Sequence, residues 1–78
     1  MRILLLAKNK EWADCWIDEY KIPKKSVHYI SQPKYAYGFK NLPYVVASYG
    51  PYHDEIKRIL GWGTCYEITS EQAKELVK

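Results

Sequence analysis

The chain begins with an apolar run, Ile3-Leu4-Leu5-Leu6-Ala7, that switches abruptly to Lys8-Asn9-Lys10-Glu11. A run this short cannot sustain a helix, and its lack of alternation predicts a strand covered on both faces. Helical spacing follows at once. Across residues 10–20 the apolar positions Trp12, Ala13, Trp16, Ile17 and Tyr20 fall, at about 100° per residue, within an arc of roughly 140°. This predicts a helix over residues 10–20 with Asn9 as its N-cap, Glu11 in its first turn and Pro23 as its stop. Trp12 and Trp16 are expected in the core, with Cys15 on the opposite, reachable side.

The second strand is Val27-His28-Tyr29-Ile30-Ser31, β-branched and aromatic but more polar than the first. A connection over residues 32–43 follows, with one short helical turn at residues 33–37 that starts on Pro33 and closes at Gly38. Tyr44-Val45-Val46-Ala47-Ser48 is a third strand, again apolar on both faces. Pro51 opens the next helix, Tyr52, Ile56, Ile59 and Leu60 keep its spacing, and Gly61 is the expected residue beyond its end. Residues 64–69 alternate as a half-exposed fourth strand, and Ser70 caps a closing helix carrying Ala73, Leu76 and Val77.

The order is β-α-β-(short turn)-β-α-β-α, which predicts a three-layer α/β fold with a four-stranded, mostly parallel sheet. The two strands apolar on both faces should be central and the two polar ones should form the edges. Strand order 2-1-3-4 satisfies both conditions. It puts the first and last helices on one face, and the short turn and second helix on the other. Residues 1–78 are one domain, since 78 residues leave no room for a second.

Composition adds bounds rather than a function. Aromatic residues make up 15% of the chain, with eight Tyr and three Trp, which suits a small domain needing buried area from few side chains. The net charge of +3 permits an anionic partner without requiring one. Cys15 and Cys65 lack metal-ligand or redox spacing, so no metal and no cofactor is assigned. No signal peptide or membrane span is read, and the expected setting is cytoplasmic with free thiols.

In an open sheet of this kind ligands meet the carboxyl ends of the strands, where neighbouring connections leave for opposite faces. That point falls between the first and third strands. It collects Lys8, Asn9 and Lys10 from one and Tyr49, Tyr52 and His53 from the other, with Lys34, Tyr35 and Tyr37 alongside. These nine are the candidate binding residues. Two helix N-termini and three lysines suit an anion there, but neither GxGxxG nor a P-loop is present. His53 and Asp54 are adjacent in a first turn and point apart, so no catalytic residue is assigned. The stretch Lys34-Tyr35-Ala36-Tyr37-Gly38-Phe39-Lys40 interleaves bases with aromatics, as a stacking platform for single-stranded nucleic acid does. A long loop anchored to the core by its aromatics has the same pattern and is the preferred reading.

Three stretches carry a resemblance over nearly the whole chain. They are Ile3-Leu4-Leu5-Leu6-Ala7, then Val27-His28-Tyr29-Ile30-Ser31 followed by Pro33 and Gly38. The last is Tyr44-Val45-Val46-Ala47-Ser48-Tyr49 followed by Glu55-Ile56 and Ile59-Leu60. In these the chain resembles very small Rossmann-like proteins encoded by phages and mobile elements. The resemblance implies an accessory role in the host cytoplasm: binding and modulating a host or phage protein, as an inhibitor of a host process or defence system. It brings no active-site pattern. The expected partner is therefore a protein, with single-stranded nucleic acid or a nucleotide as the alternative, and a homo-oligomer is compatible with either.

Overall fold

All four side chains of β1 (Ile3–Leu6) are sealed from solvent, and this strand sets the rest of the architecture. The computed structural model describes residues 2–77. After β1 come α1 (Lys10–Tyr20), β2 (Val27–Ile30), β3 (Pro43–Val46), α2 (His53–Trp62), β4 (Tyr66–Glu67) and α3 (Ser70–Leu76). The four strands form one sheet in the order β2-β1-β3-β4, and every pairing is parallel. Leu5 lies between Tyr29 on one side and Val45 on the other. This is the small α/β fold predicted from the strand polarities.

The pleat of β1 divides the core. Ile3 and Leu5 face one way and meet Ala13, Trp16 and Ile17 of α1 and Ala73 of α3. Leu4 and Leu6 face the other way and meet Ile56, Ile59 and Leu60 of α2, with Ala36 from the β2–β3 connection. Opposite faces follow from the strand order, because α1 leads from β1 to one edge and α2 leads from β3 to the other. Trp16 also reaches across this half-core: its indole N–H donates to Ser70 Oγ at 3.0 Å and fastens α3 to α1.

The structure corrects several local expectations. Trp12 is not in the core but about half exposed (47%). It stands at one margin of the apolar arc, in the first turn of α1. The helix ends at Tyr20 rather than at Pro23, because Lys21 takes the left-handed conformation at φ 53° and donates its N–H to Ile17 C=O. Pro23 instead precedes a 3-10 turn at Lys24–Ser26. The turn after β2 covers only Pro33–Tyr35. β3 starts on Pro43 and ends at Val46, two residues before Ser48.

Pro51 lies in the turn ahead of α2, and Gly61 lies inside that helix; Gly63 is its C-cap. Gly63 is required by a close approach, since a Cβ there would sit 1.9 Å from Phe39 O. β4 is two residues rather than six, because Thr64 turns the chain at φ 58° and its hydroxyl donates to Asn41 Oδ1. Thr69, not Ser70, caps α3: its hydroxyl accepts from Gln72 N–H while the Gln72 side chain accepts from Thr69 N–H.

Candidate functional site

The strand ends of β1 and β3 are drawn together by their own connections. Ala47 N–H donates to Leu6 C=O at 2.8 Å, and Lys8 N–H donates to Ser48 Oγ at 3.0 Å. Directly beyond, Gly50 lies against Lys8 so closely that a Cβ on residue 50 would be 2.9 Å from Lys8 Cβ and 3.2 Å from its Cα. The cleft between diverging connections is thereby filled. What remains is a recess of about 10 Å³ bounded by Lys8, Ser31, Ser48, Tyr52 and His53. That is room for roughly one water, whereas a small-molecule site takes about 300–1,000 Å³. The topology places a crevice here, and the side chains and Gly50 close it.

His53 is held in this recess. Its ring packs on Tyr49 with centroids 4.4 Å apart, and its Nδ1 is buried with no hydrogen-bond partner among the described residues. Among the described residues no carboxylate or hydroxyl orients that nitrogen, as a general base or an activated nucleophile is oriented by a partner. Among the described residues no cluster of His, Cys, Asp and Glu could hold a metal. Cys15 is exposed on α1 and Cys65 is buried beneath α2.

The outer surface of the same end is aromatic and basic. Tyr49 is 73% exposed and Tyr52 about half exposed. Lys8 Nζ lies 5.1 Å from the centroid of the Trp12 ring, and Lys34 Nζ lies at the same distance from Tyr35. Asn9 is already employed, its Oδ1 accepting from Trp12 N–H at 3.0 Å as the α1 cap. Lys10 follows it, exposed, as the first helical residue.

Tyr37 does not join this group. Its ring lies 6.5 Å from Trp62, at the far end of α2, where Asn41 N–H donates to Gly63 C=O. Within residues 34–40 the anchors are Ala36, which is buried, and Phe39, which is partly buried; Tyr35 and Tyr37 are exposed. The loop is thus tied to the core by two residues, and its tyrosines face solvent. Trp12 is the rim residue that helical periodicity hid, although its position at the arc margin one turn from a strand end was readable. No protein-family model, curated protein or solved structure matches the chain.

Proposed function

We propose that the chain is a non-enzymatic protein-binding module whose strand-end rim (Lys8, Trp12, Tyr49 and Tyr52) makes the contact. One observation carries the reading: large aromatic side chains stand exposed around a strand end whose centre is filled. Tyr and Trp supply broad contact area at low entropic cost and concentrate binding energy where they are buried by a partner. With the junction of β1 and β3 closed, a macromolecular surface fits that junction better than a small ligand. The resemblance to small phage-encoded proteins supports a host or phage protein as partner, met in the cytoplasm, and modulation or inhibition as the outcome.

The test is affinity capture from bacterial cells with mass spectrometry, in the presence and absence of nuclease. Captured proteins should survive nuclease and be lost when Trp12, Tyr49 and Tyr52 are replaced together by alanine. The reading fails if every captured protein still binds that variant. A second reading is favoured by the two lysine–aromatic pairs, Lys8 with Trp12 and Lys34 with Tyr35. They are suited to stack bases and meet phosphates of a single strand. That reading requires oligonucleotide affinity that drops steeply with added salt, and flat titrations at low salt remove it.

A further inference from the structure

Among the described residues, the outer edge of β2 has no neighbour in the sheet. Ala7 N–H donates to Ile30 C=O, so the peptide groups of Ile30, and of His28 two residues earlier, turn toward β1. In a parallel ladder the residue between them turns its groups the other way. Tyr29 therefore presents both N–H and C=O outward, flanked by Val27 C=O and Ser31 N–H; the Val27 N–H is taken by Lys24 C=O. An open groove of about 390 Å³ lies against this edge, lined by His28, Tyr29, Ser31, Gln32 and Tyr35.

The segment that carries the edge is charged with one sign. From Lys21 to His53 the chain has five lysines and no Asp or Glu. Lys24 and Lys25 stand exposed at the entrance of β2 and Lys34 beyond its exit, while Arg2 reaches His28 Nδ1 at 3.3 Å. We infer that the β2 edge docks an extended acidic segment of a partner protein as a fifth strand. Main-chain bonds to Val27, Tyr29 and Ser31 supply the affinity, and the lysines at both ends select acidic side chains. A second copy is the weaker occupant, because two-fold antiparallel pairing about Tyr29 sets Lys24 and Lys25 of each chain against Lys34 of the other. Lys8, Trp12, Tyr49 and Tyr52 do not line this groove, and the inference does not rest on the rim reading.

The experiment is amide NMR on the full chain, titrated at low salt with a synthetic eight-residue peptide of alternating valine and glutamate. In the free protein the Tyr29 amide should exchange quickly between protected amides at His28 and Ile30. Saturating peptide should shift residues 27–31 and protect Tyr29. Affinity should fall about tenfold or more when alternate peptide nitrogens are methylated, and likewise in a Lys24→Glu/Lys25→Glu/Lys34→Glu variant. A Tyr49→Ala/Tyr52→Ala variant should bind as the parent does, which separates this result from any failure at the rim. The inference is overturned by absence of saturable shifts at millimolar peptide, or by equal binding of the methylated peptide. Shifts centred on Tyr49 and Tyr52 also overturn it, as do concentration-dependent shifts of residues 27–31 in free protein, which would give the edge to a second copy.

Discussion

The two edges of the sheet are finished differently. β4 is only two residues long and is tied inward: Tyr66 N–H donates to Leu42 C=O and Ile68 N–H to Tyr44 C=O, and Lys57 Nζ of α2 meets Glu67 Oε1 at 2.8 Å. The capping box of α3 then stops the chain from extending the strand. β2 is twice as long, lies parallel to β1 over its full length, and is flanked by exposed lysines. Shortness and charge are the two devices that keep an edge from recruiting another strand. β4 uses both and β2 only one. The difference shows that protection of the backbone is local, supplied by particular neighbours rather than by the fold.

Substitutions can break or sharpen that contrast. Leu5→Ala, in the strand joining both halves, should cost about 2–5 kcal/mol in urea unfolding and weaken amide protection at both edges alike. Gly63→Ala should cost about 3 kcal/mol, because Phe39 O blocks the new methyl. Here the loss of protection should be larger at Tyr66 and Ile68 than at Ile30, and equal losses would mean the β4 side is not separately held. Trp16→Phe removes the bond to Ser70 and should cost about 1 kcal/mol, with faster exchange in α3. Lys57→Ala should cost only about 0.5 kcal/mol, since both partners of that ion pair are substantially exposed. If β4 protection collapses with it, the bridge is the chief tie of that edge.

A pH series probes the other edge. Burial, and then the charge of Arg2, hold the His28 imidazole below its ordinary value. As pH falls, the unfolded chain takes up the proton first. Stability should therefore be fully present above about pH 6.5 and decline below it until the folded imidazole is also protonated. In His28→Gln the melting temperature should lose this part of its acid sensitivity; unchanged sensitivity would show that His28 is not its source.

Much of this arrangement is legible in residue patterns, for identifiable reasons. Strands apolar on both faces must be central, so the two runs around Leu5 and Val45 and the polar character of the other two dictate the strand order. That order in turn locates Lys8, Tyr49, Tyr52 and His53 at one end. Boundaries are less legible where a residue other than glycine takes φ > 0. Lys21, Asn41 and Thr64 all do so, and Lys21 and Thr64 carry no such signal in their residue type, unlike Pro23 and Gly61. Gly63 is needed because Phe39 approaches it, a relation between residues far apart in the chain. Trp12 and Tyr37 lie away from their expected places for a related reason. Periodicity reports which face a side chain favours, whereas a helix margin and a loop path are settled by neighbours such as Lys8 and Trp62.

The contact between Gly50 and Lys8 has a wider consequence. It stoppers the mouth between β1 and β3 that this topology ordinarily leaves ajar. A side chain larger than hydrogen at residue 50 would prise the stopper loose. Opening this end to a small molecule would thus begin with that one glycine.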